Sequence, residues 1–366
     1  MTNNPQESTQ KEGTGRVISS VTNAINQMSG EEGKANIQLG ELFSGIFKKH
    51  SKEERERLLS AGVSGNIPDE RSMIARWPRP WLYSRVFAVL FLLTLLIYLI
   101  LFSIYHSYLT STMILLAVLT TPVSLMVFLF ECNIPQNISL IDCVAMSLVG
   151  GVASLLLTVL SSRLFQINST GQTWYGAVLT AIFEMIGITA LTFAYIRKRG
   201  AKYLLNGILI GASVGAGFCI LENFGYLYTL SAQCASYYGD GLIYISYFRP
   251  ELFRCWIFSI GTHVVWGALI GAGFAAAGQD AGGTSGVLKN PRFLRFLLAT
   301  LLLETVYYAP LPANPVWLSY FVPAVIAVIG LVLLLFQISA GLRQINRLSD
   351  EAWQADAAAM PEEAED

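Results

Sequence analysis

The chain has 366 residues, 53% of them hydrophobic and 13% charged, with a mean hydropathy of +0.50 and a formal net charge of −1. A soluble domain carries about a quarter charged residues, so that class is excluded, and nothing points to nucleic acid as a partner. Five cysteines without a CxxC pair exclude a zinc ribbon or thioredoxin-type site, and three histidines (His50, His106 and His263) exclude a site built on clustered imidazoles.

In chain order, residues 1–35 are polar and rich in Gly, Ser, Asn and Gln, which predicts a disordered arm with no apolar signal-peptide core. Residues 36–80 read as short amphipathic, interfacial helices. Ile37, Leu39, Leu42, Phe43, Ile46 and Phe47 have helical spacing, and Ser51 with Glu54 fits a capping box for a helix through about Leu59. The stretch RWPRPW then suits a headgroup layer. Residues 81–340 read as a transmembrane bundle, because long apolar runs suffice to cross roughly 30 Å of hydrocarbon. The expected spans are 84–105, 109–131, 139–160, 174–196, 203–229, 255–277, 293–311 and 316–338.

The fold class that follows is all-α: a polytopic transmembrane helical bundle of about eight spans in the cell membrane. Nearly all Lys and Arg fall in 1–83, 132–138, 197–202, 278–292 and the segment after 338, which predicts that both termini are cytoplasmic. The outer side keeps only Arg163, Arg249 and Arg254. Cys234 and Cys255 bracket a long outer loop, 230–254, where a disulfide between them is expected. Cys143 and Cys219 lie within spans, as apolar packers. Asn168 sits in an outer Asn-Ser-Thr sequon, and 341–366 reads as an acidic, disordered tail.

Ionisable residues inside spans are costly, so they are functional candidates. Glu184, Glu222, His263 and Glu304 stand on four consecutive spans. At 1.5 Å per residue all four fall about 10–15 Å below the outer surface. Stripes of small residues share their faces: Gly207, Gly211 and Gly215 before Glu222, Gly267 and Gly271 after His263, and Gly176 and Thr180 before Glu184. Such stripes let helices approach closely, so each polar side chain is expected to face the bundle. One imidazole among carboxylates can hold a divalent metal such as zinc, with Glu222, His263 and Glu304 as the expected ligands. Without metal, a Glu beside a His can serve as acid or base. Asn223 could donate to a substrate carbonyl. The bland alternative is polar glue between helices.

Three stretches, AIFEMIGITALTFAYIRKRG, LLNGILIGASVGAGFCILENFGYL and GTHVVWGALIGAGFAA, resemble the core motifs of the PrsW family of intramembrane peptidases. The resemblance covers about 174–310, and it is more distant to the CAAX-processing and bacteriocin-immunity membrane proteases. It implies a polytopic bundle that cleaves a single-span membrane protein, such as an anti-sigma factor, near its outer side. Glu184, Glu222 and His263 are the catalytic residues it implies, with Asn223 orienting substrate. The family's fourth-span motif is Glu-Glu-x-x-Lys, whereas here Glu184 stands alone. If Glu184 is the second Glu, Phe183 and Gly187 occupy the other positions; if it is the first, Met185 and Ile188 do. Two other functions stay open: a catalytically silent relative that scaffolds a single-span partner, and a transporter that uses the same carboxyls.

Overall fold

The computed structural model describes residues 19–73, 75–103, 107–165, 173–199, 201–238, 242–278, 284–311 and 318–359. Asn168, His106 and the last seven residues lie outside them. Among the described residues there are helices and no strands. The arm contains α1 (residues 19–29), α2 (Leu39–Ser44) and α3 (Lys52–Leu59). The bundle follows as α4 (Leu82–Ser103), α5 (Ser107–Cys132), α6 (Leu140–Ala145), α7 (Gly151–Leu164), α8 (Trp174–Arg199), α9 (Leu204–Tyr238), α10 (Leu242–Ile257), α11 (His263–Gly278), α12 (Thr284–Lys289), α13 (Pro291–Tyr307) and α14 (Leu318–Ala359).

Among the described residues, seven helical stretches are long and apolar enough to cross a membrane. The expected seventh span, 293–311, is not among them: it is α13, whose 17 residues reach only about 25 Å. Asn290 caps it and Pro291 opens it. The third span runs α6 to α7 through a π-helical segment, Met146–Gly150. The sixth is broken: α10 ends at Ile257, a 3₁₀ turn covers Phe258–Gly261, and α11 starts afresh at His263. Irregular backbone at membrane depth is tolerated where protein covers it, and here Gly261 lies against the Ala327 backbone of α14.

Three expectations are corrected. The outer loop 230–254 is largely helix, since α9 runs on to Tyr238 and α10 begins at Leu242. Cys234 and Cys255 are free, not bridged. Both thiols are buried with Leu227, Phe248, Leu252 and Trp256 in one apolar cluster, where cysteine behaves as a small hydrophobe. The tail is helical as far as Ala359, because its polar residues have distant partners. Arg347 binds Glu31 of the arm at 2.9 Å and Glu351 one turn on at 2.9 Å, and the Trp353 indole donates to the Arg71 carbonyl.

The described part of the arm likewise docks on the bundle. Glu31 is almost fully buried, Arg343 donates to Asn26, Arg295 to the Gln27 carbonyl, and Asn346 pairs with the Ala75 backbone. Ser51 and Glu54 form the capping box that their spacing predicts. Glu131, at the end of α5, accepts from the backbone N–H groups of Trp81, Leu82 and Tyr83 at 2.8–2.9 Å, satisfying the otherwise orphaned donors at the start of α4.

The helix α9 is the centre of the bundle: 89% of its apolar window is buried, against 11% for α4. It touches α11 backbone to backbone. A Cβ on Gly207 would stand 2.2 Å from the Gly271 carbonyl oxygen, one on Gly211 1.9 Å from that of Gly267, and one on Gly215 2.1 Å from that of His263. These pairings run antiparallel at four-residue steps. On its other side, Gly217 would meet Ser147 of the π segment at 1.8 Å, and the Ser147 hydroxyl donates to the Ser213 carbonyl. Without a hydrophobic effect inside lipid, close packing of this kind holds helices together.

Candidate metal and acid–base site

The break in the sixth span sets the position of His263. As the first residue of α11 it projects from a helix start rather than from a helix wall, and two rings clamp it. Phe218 lies 4.8 Å away at 60° and Trp266 4.8 Å away at 81°, centroid to centroid. Around this ring converge the side chains that the sequence placed at one level. Glu184 of α8 approaches Nε2 at 3.0 Å, Glu304 of α13 approaches Nε2 at 3.4 Å, and Glu222 of α9 approaches Nδ1 at 3.4 Å.

The two edges of the imidazole therefore face different groups. Ligand atoms of Glu184, His263 and Glu304 all lie within 4.8 Å of one another. Glu222 stands on the opposite edge, so the expected metal set of Glu222, His263 and Glu304 is not the one whose atoms converge. Exposure divides the groups in the same way: Glu304 is fully enclosed, His263 and Glu184 nearly so, and the Glu222 side chain keeps 26% of its surface open.

Tyr308, which sequence reasoning missed, joins the two halves. Its hydroxyl lies 3.0 and 3.2 Å from the Glu184 oxygens and 2.8 Å from Glu222 Oε1. The available signal was its position one turn beyond Glu304, but a Tyr at a span end reads first as an interfacial anchor. Asn223 does not reach the cluster. Its amide donates back to the Cys219 carbonyl at 2.9 Å. Outward from Glu222 the polar surface continues through Tyr226, Glu251 and Arg254, with Arg254 donating to Glu251 at 2.8 Å and to the Tyr307 hydroxyl at 3.1 Å. His50 lies elsewhere, stacked on Trp81. Asp142 is spent on a capping box and a bidentate pair with Arg199.

The donor set fits a divalent cation. Both Glu304 oxygens are buried without a hydrogen-bond partner. Leaving such groups unsatisfied costs about 1–3 kcal/mol each, more when charged. Two carboxylates with oxygens within 4.8 Å of each other repel by at least about 3 kcal/mol at an effective dielectric of 20. A cation among Glu184, His263 and Glu304 would answer both penalties with the N and O ligands that zinc prefers, leaving a coordination position open.

No curated protein and no solved structure matches the chain. A family model described as PrsW family intramembrane metalloprotease matches residues 140–335. That match runs from α6 into α14, takes in every residue of the cluster and spans more than half of the 366 residues. The chain therefore belongs to the PrsW family of intramembrane metalloproteases.

Proposed function

We propose that the protein is an endopeptidase that cuts a single-span membrane protein near the outer face, at a site where Glu184, His263 and Glu304 hold a divalent cation and Glu222 moves the proton. The observation that carries the reading is the fully buried Glu304 carboxylate, unpartnered by hydrogen bonds and converging with Glu184 on one nitrogen of His263. A cation held there would polarise a peptide carbonyl and ease deprotonation of water.

The chain's own residues supply the rest. Glu222 is the one carboxyl of the three with open surface, so it can meet substrate and water. It takes a proton from water and returns it to the leaving amine. Tyr308 holds Glu222 at 2.8 Å and ties it to Glu184. Phe218 and Trp266 keep the imidazole in one orientation. Asn223 requires a side-chain rotation away from Cys219 before it can orient substrate.

Access is from the side of Tyr226, Glu251 and Arg254. On the arm side of the cluster, the backbone contact between Gly211 and Gly267 closes the space between α9 and α11, which weighs against a transport path. The distribution of Lys and Arg supports a cytoplasmic arm and tail in a cell membrane. The family resemblance favours an anti-sigma factor or a similar single-span regulator as substrate.

The test is a trap. The protein carrying E184Q and H263A is expressed in its host beside the unaltered protein, and captured single-span proteins are identified. These are then incubated with the unaltered protein with and without a chelator. Accumulation of an uncut partner on the trap, and its chelator-sensitive cleavage by the unaltered protein, is the expected result. Equal capture by both proteins with no cleavage would replace the enzyme by a scaffold.

A further inference from the structure

On the arm side of the bundle lies a cleft of about 660 Å³. One wall comes from arm residues 34–41 and 75–79, the other from residues 339–346 of α14. Both walls lie outside the family match at 140–335. The site residues are remote: α14 passes the His263 break at Ala327, and Arg343 is 16 residues further along, about 24 Å of helix.

The cleft is cationic. Lys34, Arg76, Arg79 and Arg343 line it against one acid, Glu41. Glu41 is engaged by Arg79. Among the described residues, Lys34, Arg76 and Arg343 form no ion pair; Glu31, the carboxylate whose field reaches Arg343, is held by Arg347 through two hydrogen bonds. Arg343 is half-buried, and its Nη atoms meet only neutral acceptors: Ser339 Oγ at 3.1 Å, Asn26 Oδ1 at 2.9 Å and the Lys34 carbonyl at 3.5 Å. Its Nε is buried without an acceptor. A guanidinium in this condition is short of an anion, and its forked donors suit the oxygens of a phosphate.

The surroundings place the cleft at lipid headgroup level. Leu39, Phe43 and Phe47, spaced four residues apart beside Gln38 and Glu41 of the cleft wall, are 53%, 59% and 96% exposed. An apolar row beside cationic side chains is the arrangement of an interfacial helix.

We propose that this cleft binds a phosphate-bearing anion through Lys34, Arg76 and Arg343, and that the bound anion ties the N-terminal arm to α14. The phosphate of an anionic phospholipid and a free phosphate share the chemistry that the cleft recognises.

The experiment uses the full chain in nanodiscs and reads hydrogen exchange over residues 31–41 and 75–79. One arm compares phosphatidylcholine with a mixture containing phosphatidylglycerol. The other adds inorganic phosphate to the phosphatidylcholine discs. Slowing of exchange by about tenfold is expected, equivalent to about 1.4 kcal/mol. K34Q/R76Q, at two exposed positions, should abolish the slowing, and R343Q should do the same. R55Q/R57Q on α3 removes equal charge outside the cleft and should leave the slowing intact. Protection by phosphatidylglycerol alone identifies the headgroup, and protection by inorganic phosphate identifies the free anion. No protection by either probe, or equal loss in K34Q/R76Q and R55Q/R57Q, overturns the proposal.

Discussion

Two glycines of the same helix should respond oppositely to one added methyl group. At Gly211 a Cβ would fall 1.9 Å from the Gly267 carbonyl oxygen, 2.7 Å from its carbon and 3.1 Å from the Gly271 nitrogen. All three are backbone atoms, so no side chain can turn aside. Ordinary contact begins at 3.4 Å, so α9 and α11 must part by about 1.5 Å. Overpacking costs about 1–3 kcal/mol, and a collision with rigid backbone belongs at the upper end, about 3 kcal/mol. At Gly225 nothing lies within 4 Å, and Ala there should gain the roughly 0.5–1 kcal/mol that separates it from Gly in a helix. Unfolding of G211A and G225A in the same nanodiscs should therefore differ by about 3–4 kcal/mol. Because α11 starts at His263, parting the helices also shifts the imidazole, and a misplacement of about 1 Å can cost roughly 10²-fold in rate. G211A within 0.5 kcal/mol of the unaltered protein, or G225A equally damaged, would refute the backbone contact.

Three further outcomes follow from the geometry. Glu222→Gln should lower cleavage by about 10²–10⁴-fold while bound metal per chain, measured by mass spectrometry, stays unchanged; parallel loss of metal would move Glu222 into the ligand set. On the arm side, the Lys202 ammonium holds the Glu70 carboxyl below its usual range, assisted by the Tyr203 hydroxyl. The contact therefore stabilises the docked arm above the unfolded carboxyl range and is lost as pH falls through the lowered folded value. Its worth is below about 1 kcal/mol because the pair is partly exposed. Hydrogen-exchange protection near residue 70, taken relative to the intrinsic exchange rate at each pH, should fall on acidification to pH ~3, and it should fall less in K202Q. Finally, Cys234 and Cys255 should both take up an alkylating reagent after unfolding without reductant, and C234A/C255A should behave identically in reducing and non-reducing gels; a bridged peptide in mass spectrometry would overturn the free thiols.

Much of the bundle was legible because a bilayer penalises polar groups so heavily. Glu184, Glu222, His263 and Glu304 stood out on apolar runs, and counting residues placed them at one level, where the structure brings them together. The glycine stripe of α9 was equally visible at four-residue spacing. What stayed hidden depends on distant partners. The tail looked solvated by its charge, yet its helix is held through Arg347 by Glu31, more than 300 positions earlier in the chain. The break at Phe258–Gly261 was silent because Phe, Ile and Gly suit a continuous span equally well. The residues around Cys234 carry enough polar atoms to resemble a loop, although α9 extends through them. Glu131 went unnoticed at a span end, where an acid reads as interfacial, while in the fold it caps α4.

The single glutamate of α8 raises the question whether the site is chemically complete, and Glu304 bears on it directly. Adjacent residues on a helix diverge by about 100°, so a second Glu at 183 or 185 would leave the face on which Glu184 meets His263. Glu304 instead arrives from α13, which ends one turn later so that Tyr308 can reach Glu184 and Glu222. In a silent scaffold this carboxylate would be a liability, because Glu184 already pairs with His263 Nε2 at 3.0 Å and a second buried carboxylate beside it adds like-charge repulsion. The scaffold therefore predicts that Glu304→Leu raises the unfolding temperature and leaves partner capture untouched. A metal-holding role predicts that bound zinc, measured per chain, falls at least about tenfold, the lower range for disturbing a metal's supporting groups, and that cleavage falls with it. Glu304→Leu that retains one ion per chain and cuts at the unaltered rate would remove Glu304 from the site and leave Glu184 and His263 too few to hold a cation.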